Sequence, residues 1–139
     1  MGNTHVRLVE GMQFVACGES GHAVIMDSDP NVGGSNTASR PVEVLLCALG
    51  GCTGMDVISI LRKMRTVPKQ FSVEVEDERA SEHPKVLTRI HFVYRFVGDI
   101  PEENAKKAIE LSMQRYCPIT NMVNKTADVT WEVQITKDQ

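Results

Sequence analysis

Two cysteines sit where a thiol can do chemistry. Cys52 ends the nearly all-apolar, glycine-bearing stretch Val42-Glu43-Val44-Leu45-Leu46-Cys47-Ala48-Leu49-Gly50-Gly51-Cys52. Cys117 closes a second, amphipathic segment as Tyr116-Cys117-Pro118. A thiol on a helix wall and another at a helix junction are the parts of a redox couple or an activated nucleophile. Helix ends and nearby charges set how much of each is thiolate. Asp56 follows Cys52 by four residues and so shares its helix face. A carboxylate there raises the thiol pKa unless a cation pairs with it. Cys117 before Pro118 is placed for a helix entrance, where the dipole favours a thiolate.

Other candidates are weaker. Cys47 lies about 140° around the helix from Cys52, and Cys17 ends a strand. Both read as small buried hydrophobes. His5, His22, His83 and His91 are scattered without ligand spacing, so no metal site is expected. The pairs Gly33-Gly34 and Gly50-Gly51 lack the Gly-Lys-Ser/Thr of a phosphate loop, and no cofactor is expected.

The elements that must position these thiols follow from patterning. Thr4 to Glu10 alternates apolar Val6 and Leu8 with polar neighbours, and Met12 to Cys17 and His22 to Asp27 read as further short strands. Asp27 to Arg40, rich in Asp, Asn, Ser, Gly and Pro, is the longest loop. A helix is predicted from about Pro41 to Arg65. Pro41 and Glu43 suit its first turn, and Arg62, Lys63 and Arg65 its last. Strands follow over Phe71 to Glu78 and Val86 to Val97. Asp99 with Glu102 looks like a helix cap and capping box, opening a helix to about Tyr116. A short helix after Pro118 and a strand over Val129 to Ile135 complete a β-β-β-α-β-β-α-β order, an α+β fold.

The central helix carries only Asp56 as a charge between Val44 and Leu61, with apolar residues on every side. Such a helix is buried or spans a membrane. Asp56, Thr53, Ser59 and three glycines interrupt the run, and strands flank it, so no membrane span is expected. Gly50, Gly51 and Gly54 cost about 1 kcal/mol each against alanine, which makes sense where another backbone comes close. A helix buried at an intimate homodimer interface is the simplest reading. A monomer with sheet on both sides of the helix is the alternative.

The chain has 139 residues, enough for one domain over 1–139 with a modest core. Its net charge of −3, without a basic run, argues against nucleic acid or an anionic membrane as partner. The N-terminus shows no apolar signal segment, and four cysteines are too sparse for a disulfide-stapled secreted domain. Reduced thiols in a cytoplasmic protein are expected.

The segment from Pro41 to Cys52, the following Met55-Asp56-Val57-Ile58-Ser59-Ile60-Leu61 and the later Tyr116-Cys117-Pro118-Ile119 resemble the OsmC/Ohr family of osmotically inducible and organic hydroperoxide resistance proteins, and within it the YhfA-like branch. Element order and length match over essentially the whole chain. The resemblance implies an OsmC-like fold, an intertwined homodimer with the cysteine-bearing helix at its centre. It implies thiol-dependent reduction of organic hydroperoxides in oxidative-stress defence, with Cys52 as the peroxidatic and Cys117 as the resolving cysteine. A dithiol such as a lipoyl group would restore them. The family's helix-start glutamate directly follows the proline; here Val42 stands there and Glu43 comes one residue, about 100°, later. The family's thiolate-stabilising arginine belongs to the N-terminal hairpin, where this chain has Gly18-Glu19-Ser20-Gly21-His22. Arg40, Asp56 and His22 are therefore the candidate supporting residues beside Cys52, Cys117 and Glu43. Along a straight helix Glu43 and Cys52 are about 13.5 Å and 180° apart, so they meet only through a partner chain or a bend.

Two functions stand: a peroxidase, favoured by the cysteine pair, and a protein of the same fold that binds a small apolar electrophile or senses redox state, favoured by the missing arginine. The glycine-bearing apolar helix predicts an obligate dimer. Sedimentation at micromolar concentration should return twice the chain mass, and a folded monomer there would overturn the interface reading.

Overall fold

The computed structural model describes residues 1–137. These form two three-stranded sheets and three α-helices. They divide into two compact units, one from Met1 to Leu46 and one from Cys47 onward.

The first unit is a β-meander. Strands β1 (His5–Glu10), β2 (Gln13–Cys17) and β3 (Ala23–Met26) pair antiparallel in the order β1-β2-β3, with an irregular register between Leu8 and Glu10. Val6, Leu8, Val9, Val24 and Ile25 all remain exposed. The loop after β3 is organised by one buried carboxylate. Asp27 accepts from the Ser28, Ser35 and Thr37 N–H groups and from the Thr37 hydroxyl, at 2.7, 3.3, 3.1 and 2.5 Å. These donors, the Thr37 hydroxyl foremost, hold its pKa down to about 2. Gly34 is required there: a Cβ would lie 1.9 Å from the Ser28 carbonyl oxygen. A single 3₁₀ turn, Pro30–Val32, interrupts the expected loop.

Helix α1 (Pro41–Lys63) begins at the predicted proline and ends two residues before the predicted stop. An 18-residue stretch of it has a mean hydropathy of 2.0, enough with its length to cross a membrane by composition alone. In the single chain it is not buried all round. Leu49, Thr53, Val57 and Leu61, spaced by four, form one fully buried stripe, whereas Leu45, Cys47 and Met55 are exposed. Burying such leucines and valines stabilises by about 1.5–3 kcal/mol each.

The second unit's sheet is ordered β4-β5-β6: β4 (Gln70–Arg79) antiparallel to β5 (Leu87–Val97), and β5 parallel to β6 (Asp128–Thr136). Alternation sorts its two faces. Phe71, Val73 and Val75 pair with Phe96, Tyr94 and Phe92, which pair in turn with Ile135, Val133 and Trp131. Phe71 stacks on Phe96 at 4.7 Å between ring centroids, and Phe92, Tyr94 and Phe96 are fully buried. The opposite face is polar. Arg95 bridges Glu74 and Gln134, and His91 meets Thr130 and Glu132. Helix α1 lies on the apolar face, its glycines over β4. A Cβ on Gly50 would stand 3.1 Å from Val75, and one on Gly54 would make ordinary 3.7 Å contacts with Phe71 and Val73.

Helix α2 (Glu102–Leu111) departs from expectation at both ends. Pro101, not Asp99, is the cap residue, and no side chain caps it, so the expected capping box is absent. Glu102 and Glu103 in the first turn complement the dipole instead. The helix also stops short of Tyr116. Ser112–Tyr116 widens into a π-helical turn that leads into Cys117 and the short helix α3 (Pro118–Val123).

The glycine contacts give opposite expectations for two neighbouring positions. Gly54→Ala gains helix propensity without a clash and should stabilise by about 0.5–1 kcal/mol. Gly50→Ala should gain less or lose, because Val75 must move. Urea midpoints at one fixed protein concentration compare them directly.

Candidate functional site

The π turn sets the position of Cys117. Widening by one residue lets the Cys117 N–H reach back five residues to the Ser112 carbonyl, at 2.8 Å. Cys117 is then extended (φ −82, ψ 102) and serves as the N-cap of α3, with Pro118 in the first turn. Its fully buried sulfur accepts from the Thr120 N–H at 3.3 Å and from the Thr120 hydroxyl at 3.1 Å. The Asn121 side-chain amide locks the junction, donating to the carbonyls of Cys117 (2.8 Å) and Met113 (3.1 Å).

Helix α1 supplies the other two groups. The Cys52 sulfur, an Asp56 carboxylate oxygen and the Cys117 sulfur all lie within 4.8 Å of one another. Cys52 and Asp56 are half-buried, so the cluster is open on their side. The two cysteines and Asp56 singled out by the sequence thus converge.

A hydrogen-bonded chain stands behind Asp56. The Ser112 hydroxyl donates to Asp56 Oδ2 at 2.9 Å. That bond uses the only proton Ser112 has, so Ser112 Oγ accepts from Thr53, 2.8 Å away. Thr53 Oγ1 in turn accepts from the Tyr94 phenol at 2.7 Å. Burial pushes the phenol pKa well above its usual value, which keeps Tyr94 a donor. The chain therefore runs Tyr94 to Thr53 to Ser112 to Asp56 with one polarity, through side chains fully buried up to Ser112.

The electrostatics around Cys52 oppose ionisation. Burial first, then the hydrogen bond and charge of Cys117 and the charge of Asp56, push its thiol up to about 11. The Ile119 N–H of α3 pulls the other way. Among the described residues of the second unit, no Lys, Arg or His forms an ion pair with Asp56.

The remaining candidates lie in the first unit. Glu43 accepts from the Arg40 N–H at 2.9 Å, closing the first turn of α1. The Arg40 guanidinium pairs with Asp29 at 3.7 Å and donates to the Ala38 carbonyl at 2.9 Å. His22 is exposed between the β2–β3 turn and β3, its N–H 3.5 Å from the Ser20 hydroxyl. Sequence reasoning missed Thr53, Tyr94, Ser112 and Thr120. Thr53 and Ser112 carried a signal, as hydroxyls inside otherwise apolar helix faces; Tyr94, in a strand, carried none.

The sequence pattern of the family described as OsmC-like protein matches residues 34–132. Protein YhfA of Escherichia coli strain K12 is 32% identical over 131 residues, 94% of this chain and 95% of that protein. Among solved structures, a hypothetical protein from Aquifex aeolicus VF5 superposes with a TM-score of 0.82 at 27% identity, covering 98% of each chain. An organic hydroperoxide resistance protein OsmC from Legionella pneumophila superposes at 0.72 with 13% identity, covering 96% of each.

The raised thiol predicts a steep pH dependence. Alkylation of Cys52 by limiting iodoacetamide should rise about tenfold per pH unit from pH 7 towards about 11, because only the thiolate reacts. Asp56→Asn removes one charge that disfavours the thiolate and should speed the reaction at every pH below that range. Peptide mass spectrometry of Cys52 against Cys17 and Cys47 reads both effects. The same shift bears on stability: folding holds the Cys52 proton more tightly than the unfolded chain does. Its contribution is complete below about pH 9 and is lost as pH rises towards 11.

Proposed function

The chain belongs to the OsmC-like family, and on that premise we propose that it reduces organic hydroperoxides through a Cys52/Cys117 thiol pair. The observation that carries this is the approach of the two sulfurs to within 4.8 Å. Cys52, the more exposed of the two, meets the peroxide. Its thiolate attacks the terminal oxygen, the O–O bond breaks, and the alkoxide leaves with a proton as the alcohol. Cys52 is left as a sulfenic acid. The Cys117 sulfur then displaces hydroxide from it, giving the Cys52–Cys117 disulfide and water. A dithiol reductant supplies two electrons and two protons to restore both thiols, and is itself oxidised to a disulfide.

The α3 entrance suits Cys117 to the second step. Two hydrogen bonds from Thr120 hold the Cys117 sulfur in place for that displacement. In this reading the protein works as a single OsmC-like domain and a homodimer in the cytoplasm, where resting thiols are reduced. Glu43 and Arg40 contribute by ordering the start of α1.

The high pKa of Cys52 favours a second reading. At pH 7 a thiol with a pKa of about 11 is ionised in about one molecule in ten thousand. That suits a slowly reacting protein of the same fold that binds a small apolar electrophile or senses redox state.

One equivalent of cumene hydroperoxide separates the two. A peroxidase should convert both thiols to an intramolecular disulfide, seen by non-reducing peptide mapping. Cys117→Ser should stop at a sulfenic acid that dimedone traps, and Cys52→Ser should consume no peroxide. Unchanged thiols in the wild type, with turnover undetected for several dithiols, would leave the binding reading.

A further inference from the structure

Beyond the redox reading, the same cluster has the composition of a metal site. Cys52, Asp56 and Cys117 offer two sulfurs and one carboxylate oxygen, all within 4.8 Å of one another and all partly or wholly buried. In a tetrahedral zinc site, with Zn–S of about 2.3 Å, neighbouring sulfurs stand about 3.8 Å apart. The observed spacing needs less than about 1 Å of adjustment to reach that. We infer that reduced Cys52, Cys117 and Asp56 bind a single borderline-soft divalent cation of the zinc class.

Three independent features fit this assignment. The first is the support around each donor. Ser112 holds one Asp56 oxygen, with Thr53 and Tyr94 locked behind it, and Thr120 donates twice to the Cys117 sulfur. Hydrogen bonds of this kind orient ligands and tune a metal's affinity. The second is charge. A half-buried carboxylate sits against two thiols, and no Lys, Arg or His among the described residues of this unit pairs with it. A divalent cation supplies the missing positive charge. The third is ligand softness: two thiolates select zinc-class ions over magnesium or calcium. Three protein ligands leave a fourth position for water or a small ligand, the arrangement of open rather than closed zinc sites.

Metal binding and disulfide formation use the same two sulfurs, so each excludes the other. A bound cation would protect the thiols from oxidation. Binding releases the thiol protons to solvent and involves no electron transfer.

The test uses the full-length reduced protein, freed of metal with a chelator and kept anaerobic, with no peroxide present. Its outcome is therefore independent of the peroxidase reading. Titration with Co²⁺ should give tetrahedral visible bands and a sulfur-to-cobalt charge-transfer band saturating at one ion per chain, and Zn²⁺ should displace them. Cys117→Ser and Cys52→Ser should each abolish the charge-transfer spectrum. Ser112→Ala, which touches no metal ligand covalently, should weaken affinity by about 10–100-fold. Circular dichroism identifies any variant that fails to fold. The wild type gives a readout free of that concern: one equivalent of Zn²⁺ should protect Cys52 and Cys117 from alkylation while Cys17 and Cys47 keep reacting. Absence of a charge-transfer band, or equal protection of all four cysteines, would overturn the assignment.

Discussion

The bond from the Ser112 hydroxyl to the Asp56 carboxylate fixes more of this site than any other single contact. A carboxylate only accepts, and a hydroxyl has one proton, so the bond dictates the direction of every hydrogen bond behind it. It ties α1, through Asp56 and Thr53, to the central strand β5 at Tyr94 and to the turn that carries Cys117. Each hydroxyl in the chain is fully buried and satisfied, so replacing any one leaves a neighbour without its partner, a cost of about 1–3 kcal/mol. Helix, strand and turn are held to one another by a polar spine inside an apolar interior. The two sulfurs are brought to the carboxylate end of that spine.

That arrangement places opposing demands on the thiols. Burial, then the neighbouring Cys117 and Asp56, makes the Cys52 anion costly, whereas Thr120 anchors the Cys117 sulfur with two hydrogen bonds. The two cysteines are thus unequal by construction, one accessible and hard to ionise, the other buried and hydrogen-bonded to Thr120. The asymmetry comes from the burial of Cys52 beside Cys117 and Asp56, and from Thr120 beside Cys117.

Much of the scaffold was legible in the sequence because its signals are periodic. The alternation of Phe71, Val73 and Val75 against Ser72, Glu74 and Glu76 specified both a strand and the face it buries. Pro41 and the basic end of α1 marked the helix to within two residues. The Tyr-Cys-Pro motif and the four-residue spacing of Cys52 and Asp56 identified three groups that do converge. Other features had no local signal. Asp99 and Glu102 have the spacing of a capping box, yet Pro101, extended at φ −59 and ψ 131, starts the helix without a side-chain cap. The apolar girth of α1 suggested burial on every side, but one chain covers only the stripe from Leu49 to Leu61. The hydroxyl spine joins residues 41 to 59 positions apart, a distance at which periodicity carries no information.

The π turn at Ser112–Tyr116 amounts to one surplus residue in an otherwise regular helical path. Its effect is a change of phase. A helix without it would turn everything downstream back by about 100°. Ser112 lies at the start of the surplus and Cys117 just past its end, so the two are addressed to the same cluster from different phases of the backbone. Chain length in this short segment is therefore under tighter constraint than side-chain identity. Many substitutions at Met113, Gln114 or Arg115 would preserve the phase. Deleting any one of the three would straighten the helix and carry the sulfur away from its counterpart, however well the rest of the chain folded.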